Sequence, residues 1–457
     1  MTNFDTSGSS QDAPLLQAQL ESQDASAQAI TSLALFNSSY DGLEPRAKVG
    51  NQSGSSAESN TLVLTSAYGD PGFEITAGDL KLPGFKNPIE KRELSPQQKL
   101  QRNEAGLREI ERLSAKYFKQ IDSDHDGYIT PEEVNKAISN PETPREAAPL
   151  LHILREQANN LSPLSKEWLI YSPDKGVSAW DLESLHRLSE ENKDWIGYSV
   201  ERIKSHSAGA TDTLYGNDGK GGNPLESIRP EAVEQGNVGD CFFMSATLSL
   251  ASKNPQAIKD MIRENNDGTY TVTFPGAPDR PITIDKPTPA ETAIYGASTE
   301  HGIWPAVLEK AFGEYRHRYE YQRSFTYLNR ADGSIARPEL PQDFAGGLGA
   351  DNSMGIEAVT GKPVSEVELG SGGCPDTIRR IAQGHEPATL VNGRHEYGVI
   401  GYDKASDSLL IKDPNYRDRL IKIPVKDLHQ YFAAIRTTGS GQPQSGCLTP
   451  TPGEFVH

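Results

Sequence analysis

The chain has 457 residues, enough for two or three domains, and a formal net charge of −18 at pH 7. This charge argues against nucleic acid or an anionic membrane surface as the main partner, and it suits a protein that binds cations. No apolar run approaches the length of about 18 residues that a membrane-spanning helix needs. Hydrophobic residues make up 35% of the chain, which indicates a disordered portion beside an ordinary folded core.

The three cysteines, Cys241, Cys374 and Cys447, are too few and too scattered for a disulfide framework. The first basic residue is Arg46, so the charged region of an ordinary secretory signal is missing. We therefore expect a cytoplasmic protein by default, with leaderless export left open. A reducing compartment would also suit a catalytic thiol. The sequence does not indicate an oligomeric state.

Residues 1–102 are rich in Ser, Gln, Ala, Asn and Gly, which predicts a mostly disordered tail with one weak helix between Pro14 and Phe36. From Asn103 the pattern turns helical. Apolar residues then recur mostly at spacings of three and four, at Leu107, Ile110, Leu113, Tyr117 and Phe118. This helix leads into an acidic loop at 122–133.

The acidic loop reads Asp-Ser-Asp-His-Asp-Gly-Tyr-Ile-Thr-Pro-Glu-Glu and resembles an EF-hand calcium loop at every chemical position. Gly127 would permit the sharp turn, and Ile129 would pair with a partner loop. Three aspartates within five residues repel one another, and a bound cation relieves that repulsion. The resemblance implies a Ca²⁺ site with these ligands, Tyr128 acting through its carbonyl: Asp122, Asp124, Asp126, Tyr128, Thr130 and Glu133.

EF-hands usually come in pairs, and a second, degenerate hand follows a predicted helix at 147–159. With Val177 at loop position 8, positions 3, 5, 9 and 12 fall on Ser172, Asp174, Ser178 and Asp181. Position 1 falls on Ile170, which cannot ligate, and Lys175 replaces the glycine, so we expect a structural partner. A helix at 181–192 would close an EF-hand pair at 103–195. A glycine-rich linker is predicted at 196–223.

The stretch 235–248 begins Gln-Gly-Asn-Val-Gly-Asp-Cys and continues as a buried-type helix. Cys241 would therefore lie at a helix N-terminus, where the macrodipole and unpaired N–H groups favour the nucleophilic thiolate. Gln235 lies six residues upstream, where its amide could fold back beside the sulfur and stabilise an oxyanion.

These residues resemble the nucleophile motif of the calpain-like cysteine peptidases, which usually have Trp where this chain has Phe242. The segment 302–312 is similar to the family's Trp-x-x-Leu-Leu-Glu-Lys-Ala-Tyr helix, and 357–361 to its Leu-Thr-Gly segment. The resemblance covers about 212–435. It implies an α+β, papain-like fold with two lobes and a cleft between them, protein or peptide substrates, and limited proteolysis.

A catalytic thiol needs a base, and the base needs an orienting acceptor. Among ten histidines, His395 is the best candidate, since it opens a strand-like run and lies 154 residues after Cys241. The family's His-x-Tyr-x-Val also matches at this point. Aligning Pro414 with the family's Asn-Pro-Trp-Gly places Asp413 on the acceptor position, and Asn415, two residues later, is the alternative.

The predicted catalytic domain is 224–435, with a Cys lobe at 224–335, a His lobe at 336–435 and a flexible tail at 436–457. Its predicted helices are 241–252, 255–264, 304–315 and 375–382, and its predicted strands are 269–274, 281–285, 388–391, 396–403, 408–412 and 418–422. The expected function is a calcium-dependent or calcium-binding cysteine endopeptidase. Two alternatives stay open: an acyl transferase of the transglutaminase type, and a non-catalytic calcium-responsive binding protein with a relict peptidase fold.

Overall fold

The computed structural model describes three short strands near the N-terminus and, further along, residues 94–164, 176–207, 209–216, 222–296, 299–319, 340–346, 353–370, 374–393, 395–417 and 419–439. The three strands form an antiparallel sheet in a compact unit of its own: β1 (Arg46–Ala47), β2 (Leu62–Thr65) and β3 (Phe73–Ile75). They fall within the predicted tail. The helix predicted between Pro14 and Phe36 lies outside the described residues.

The described residues of the first part of the larger unit, which we call the helical module, form five α-helices and two short paired strands, β4 (Tyr128–Ile129) and β5 (Val177–Ser178). The helices are α1 (Pro96–Ile121), α2 (Pro131–Ser139), α3 (Ala148–Leu161), α4 (Ala179–Glu183) and α5 (Glu190–His206). Helix α1 begins seven residues before the predicted start because Ser95 forms a capping box with Gln98, and Pro96 suits the first helical position.

Helix α5 differs most from the prediction. The region in which one helix is expected, 181–192, contains three elements: the end of α4, a 3₁₀ turn at Leu185–Arg187 and the start of α5. Ser189 caps α5, because its hydroxyl accepts from the Asn192 N–H. The helix then runs to His206, well into the predicted linker at 196–223. It does so because its buried residues Ile196, Val200 and Ile203 recur at helical spacing and pack in the core.

Helices α1 and α5 touch backbone to backbone. A Cβ atom at Gly106 would lie 2.7 Å from the Gly197 Cα, and one at Gly197 would lie 2.8 Å from the Asn103 Cα. The two glycines therefore set how closely these helices pack.

The part that follows the module is mixed. Its helices are α6 (Cys241–Lys253), α7 (Pro255–Met261), α8 (Glu291–Ile294), α9 (Trp304–Tyr319) and α10 (Met354–Thr360). Its strands β6 (Ile262–Glu264), β7 (Tyr270–Val272) and β8 (Ile282–Ile284) form an antiparallel sheet in that order. The helix predicted at 255–264 thus ends early, because Ile262 begins a strand that pairs with Val272.

The last part is a six-stranded antiparallel sheet with helix α11 (Pro375–Gln383). Its order is β13-β12-β11-β10-β14-β9, and its strands are β9 (Val364–Glu368), β10 (Ala388–Asn392), β11 (His395–Asp403), β12 (Ser408–Lys412), β13 (Leu420–Pro424) and β14 (Ala434–Thr438). Strand β14 pairs on both sides, so the tail predicted from 436 begins inside a strand that distant neighbours hold in place.

Two apolar cores fill the larger unit. One extends from Ile110 to Val359 and therefore joins the helical module to the helices around Cys241, and the other lies on the six-stranded sheet. Polar contacts cross the same boundary: Arg155 donates to Tyr295 and Asp343, and the Thr288 hydroxyl donates to the Ile138 carbonyl over 2.6 Å. No helix in the described ranges has the length and apolar character needed to cross a membrane.

The contact between α1 and α5 gives a first prediction. In an open helix Gly→Ala stabilises by about 1 kcal/mol, but a methyl group at Gly197 must push the two helices apart. We expect Gly197→Ala to lower the free energy of unfolding by about 1–2 kcal/mol, measured by denaturant titration. Gly370→Ala, where a Cβ meets nothing within 4 Å, is the control. A stabilised Gly197→Ala protein would contradict the close contact.

Candidate active site

Cys241 is the first residue of α6. The carbonyl of the preceding residue, Asp240, accepts from the Phe243 and Met244 N–H groups at 2.9 and 3.0 Å, which starts the helix. The Cys241 residue is 8% exposed and forms no disulfide, whereas Cys374 is disulfide-bonded. The thiol therefore lies at the positive end of the helix dipole.

Helix α6 is held against strand β11 by serine hydroxyls. Ser245, Ser249 and Ser252 donate to strand carbonyls at 2.8, 2.6 and 2.7 Å, and their spacing of four and three places them on one face of the helix. A Cβ atom at Gly398 would overlap the Leu248 side chain, so the helix and the strand lie very close. Because α6 begins at Cys241 and β11 begins at His395, this contact brings the two residues together.

His395 lies between Cys241 and Asp413. The His395 Nε2 atom is 2.8 Å from Asp413 Oδ1. The His395 side chain also forms a hydrogen bond with Cys241. Burial disfavours the imidazolium, but the hydrogen bonds and charges of Asp413 and Cys241 outweigh burial and raise the pKa of His395 to about 10. Asp413 itself is only 4% exposed. The charged imidazolium is therefore the favoured form of the His395 ring.

Both candidates for the acceptor reach the same ring nitrogen. Asp413 and Asn415 lie in one turn, closed by the Tyr416 N–H donating to the Asp413 carbonyl at 3.1 Å. The Asn415 backbone N–H donates to Asp413 Oδ1 at 2.9 Å, and the Asn415 side-chain nitrogen lies 3.2 Å from His395 Nε2. The turn therefore places both candidate residues beside the same ring nitrogen of His395.

Gln235 lies in the loop before the nucleophile. Its Nε2 atom donates to the Val238 carbonyl at 2.6 Å, which leaves a second amide hydrogen for another acceptor. Its Oε1 atom is buried and has no partner among the described residues. The Gln235 backbone N–H donates to the Pro414 carbonyl at 2.8 Å, so this loop is attached to the turn that carries Asp413.

Arg202 is a site residue that the sequence did not reveal. From α5, its Nη2 atom donates to the carbonyls of Gln235 and Gly236 at 2.6 and 3.0 Å and to Asn415 Oδ1 at 2.9 Å. No local sequence pattern identifies this arginine, because two of its partners are 33 and 213 residues away in sequence. The helical module thus reaches the site directly.

Asp240, the residue before Cys241, and Glu309 of α9 carry buried carboxyl groups. Burial raises the pKa of Asp240 to about 8, although Arg316 and Arg202 partly oppose the shift. Burial also raises the pKa of Glu309 well above its usual range, and the charge of Asp240 adds to this effect. Burial therefore disfavours the charged form of the Asp240 carboxyl group, in the residue that precedes Cys241.

The three segments that the sequence singled out meet around α6. Phe243 stacks on Phe312 of α9 with ring centroids 4.0 Å apart, and the indole N–H of Trp304 donates to the Ser227 carbonyl at 3.1 Å. Gly355 of α10 packs closely on the backbone of Phe242 and Phe243. These contacts support α6 from the side opposite β11.

The acidic loop at 122–133 adopts a tight turn. Gly127 has a φ of +90° and donates its N–H to Asp122 Oδ2 at 3.2 Å, while Asp124 and Asp126 each accept from the N–H two residues on. Oxygens of the three aspartates lie within 4.8 Å of one another. Asp122 Oδ1 is buried without a partner in the described ranges. These oxygens converge on one point.

The rest of the loop closes on itself and on its partner. Thr130 and Glu133 form the capping box of α2, and the other Glu133 oxygen accepts from the Ser123 N–H at 2.6 Å. Strand β4 (Tyr128–Ile129) pairs with β5 (Val177–Ser178), with Ile129 opposite Val177. In the second loop Asp181 accepts from the Ser178 hydroxyl at 2.7 Å. Ile170, Ser172, Asp174 and Lys175 lie outside the described residues.

Comparison with known proteins shows which part of the chain is similar to a described family. Residues 223–332 match a family model described as calpain family cysteine protease. Over 154 residues, 32% of this chain, the sequence is 27% identical to the calpain-type cysteine protease DEK1 of Zea mays and to the calpain-type cysteine protease ADL1 of Oryza sativa subsp. japonica. The match spans 6% of the length of each of these relatives. The family match includes Cys241 and ends before His395. Together these matches support a calpain-like cysteine peptidase.

Proposed function

We propose that this chain is a calcium-binding cysteine endopeptidase that performs limited proteolysis through Cys241, His395 and Asp413. The observation that carries the proposal is the hydrogen-bonded series from the Cys241 sulfur through His395 to the buried Asp413, at the N-terminus of a helix. A nucleophile, a base and an orienting acceptor are the three groups that acyl transfer requires.

In the proposed mechanism the Cys241 thiolate attacks the peptide carbonyl. The Cys241 backbone N–H and the second amide hydrogen of Gln235 stabilise the oxyanion. Protonated His395 gives its proton to the leaving amine, and the neutral ring then removes a proton from the water that hydrolyses the thioester. Asp413 keeps the ring oriented and stabilises its charged form, since it accepts from Nε2.

We also propose that the acidic loop at 122–133 holds one Ca²⁺ ion. The donors suit a hard cation, because convergent carboxylates with one buried, unpartnered oxygen need a positive charge between them. Asp122, Asp124, Asp126, Thr130, Glu133 and the Tyr128 carbonyl would hold it. The ion would neutralise the loop and fix the angle between α1 and α2.

The nucleophile is tested by Cys241→Ala. We expect cleavage of an unfolded protein such as casein to fall to background, because the sulfur is removed, while the unfolding temperature changes little. Cys374→Ser is the control: it removes a disulfide-bonded cysteine at the start of α11, away from Cys241, so it should lower the unfolding temperature while the folded protein keeps most activity. An active Cys241→Ala protein would refute the assignment. Cross-linked products instead of fragments would favour an acyl transferase over a peptidase.

The acceptor is tested by comparing Asp413→Ala with Asn415→Ala. We expect Asp413→Ala to lower kcat by up to about 10⁴, and Asn415→Ala by much less. The pH profile gives a second readout. With a pKa of about 10 the imidazolium persists at alkaline pH, so the wild-type rate should fall only near pH 10. Asp413→Ala removes a hydrogen bond that raises this pKa, and the alkaline limb should move to lower pH.

The reverse ranking of the two variants would assign the orienting role to Asn415. An alkaline limb that stays in place in Asp413→Ala would show that the ring is charged for another reason.

The calcium site is tested by titration calorimetry and thermal unfolding. We expect one Ca²⁺ to bind with a Kd of roughly 10⁻⁷ to 10⁻³ M and to raise the unfolding temperature. The double variant Asp122→Ala with Glu133→Gln should lose both effects. Glu132→Gln, which removes an exposed carboxylate of the same loop, is the matched control.

Equal calcium binding by the wild type and the double variant would refute the site. Peptidase rate against free calcium then separates a switch from a structural ion: a switch requires a calcium response in the wild type that the double variant lacks.

A further inference from the structure

Arg202 determines which atom of Asn415 faces His395. The oxygen and nitrogen of a side-chain amide both lie in its plane and point to opposite sides of the Cβ–Cγ bond, and Arg202 Nη2 donates to Asn415 Oδ1 at 2.9 Å. The end of the amide that faces His395 Nε2, at 3.2 Å, is therefore the nitrogen. An N–H₂ group only donates. Asn415 in this orientation cannot accept a proton from His395.

Asp413 then remains as the acceptor. Its ionised carboxylate offers only acceptors, and Oδ1 lies 2.8 Å from Nε2. With Nε2 engaged in this way, Nδ1 is the ring nitrogen left for Cys241. The two residues in the turn therefore have unequal roles, and the difference arises from a residue of the helical module.

Arginine suits this task for two reasons. The guanidinium group carries only donors, so Arg202 can never accept a hydrogen bond from the amide nitrogen. Its fork also reaches several acceptors: besides Asn415, Arg202 binds the carbonyls of Gln235 and Gly236, and its Nη1 atom donates to the Tyr198 hydroxyl at 2.9 Å. It thus links the loop before Cys241 to the turn after Asp413.

We propose that Arg202 is a positioning residue for the peptidase reaction, which fixes Asn415 as a donor and thereby makes Asp413 the acceptor for His395. This inference rests on the proposed function. It assigns part of the active-site architecture to α5, outside the part of the chain that matches the family model.

Other contacts hold the same turn, so a variant at Arg202 can keep its fold. Lys412 Nζ donates to the Val233 carbonyl at 2.9 Å, and the Pro414 carbonyl accepts from the Gln235 N–H at 2.8 Å. Neither bond involves Arg202.

The first experiment is a double-mutant cycle between Arg202→Met and Asp413→Ala in the full chain. The readouts are peptide hydrolysis and the rate at which iodoacetamide alkylates Cys241, followed by mass spectrometry. We expect Arg202→Met alone to lower kcat by about tenfold or more and KM by less than about threefold. The cost of Asp413→Ala should drop from up to about 10⁴ in the wild-type background to less than about 10² beside Arg202→Met, because a released Asn415 can turn its oxygen to His395.

Arg102→Met is the matched control. Arg102 is also a partly buried arginine of the helical module, and it pairs with Asp194 at 2.6 Å. It should leave kcat and the cost of Asp413→Ala unchanged. An equal cost of Asp413→Ala in the wild-type and Arg202→Met backgrounds, or an equal effect of Arg102→Met, would overturn the proposal.

A second variant keeps Arg202 and serves if Arg202→Met does not fold. In Asn415→Asp one carboxylate oxygen can stay on Arg202 while the other faces His395. Adding Asn415→Asp to Asp413→Ala should therefore restore activity by about 100-fold. A ratio near one would overturn the proposal, since it would mean that Asn415 could already present an oxygen.

The alkylation readout separates this inference from the proposed function. If His395→Ala leaves the alkylation rate and its pH dependence unchanged, no thiol–imidazole pair exists and the proposed function fails. If His395→Ala abolishes the fast alkylation while the cycle shows no coupling, only the role of Arg202 fails.

Discussion

Three serine hydroxyls on one face of α6 bond to carbonyls of β11, and the candidate site depends on this contact. A purely apolar helix face would allow sliding, because dispersion contacts are non-directional. Hydroxyl-to-carbonyl bonds fix the helix along the strand. A register shift between Val399 and Gly401 bends β11 where two of the accepting carbonyls lie. The distance between Cys241 and His395 is thus set by backbone contacts that extend along β11 from Glu396 to Ile400.

The second constraint is the polar junction between the helical module, the loop before Cys241 and the turn after Asp413. An ion pair lies in the same junction: Arg417 binds Glu234 at 3.1 Å. Glu234 also lies 3.5 Å from His206 of α5. Burial lowers the pKa of His206 to about 3, so this ring is neutral and adds no charge to the junction. The apolar core continues through the same region. The helical module and the loop before Cys241 therefore share one continuous packed core, unlike two separate domains that are joined by a flexible linker.

The sequence predicted what depends on local pattern. The glycine-punctuated turn into Cys241, the acidic loop from Asp122 to Glu133, and the strand that begins at His395 each carry their signal within about a dozen residues. Features that depend on distant partners were missed. Strand β14 is short, ends in two threonines and is followed by Gly439 and Ser440, so only its pairing with β9 and β10 makes it a strand. Arg202 could not be identified from the sequence for the same reason, because its partners are carbonyl and amide oxygens on two other segments.

The position of β14 in the sheet has a consequence for the timing of biosynthesis. Strand β10, which pairs with His395 through its last residue, is itself bounded by β14 on its other side. About 200 residues separate Cys241 from the end of β14, and a ribosome adds roughly 5–20 residues each second. Helix α6 is therefore made roughly 10–40 s before the sheet that carries His395 can close. His395 lies 154 residues after Cys241, so for most of that interval the nascent chain contains the thiol of Cys241 without the imidazole that later lies beside it.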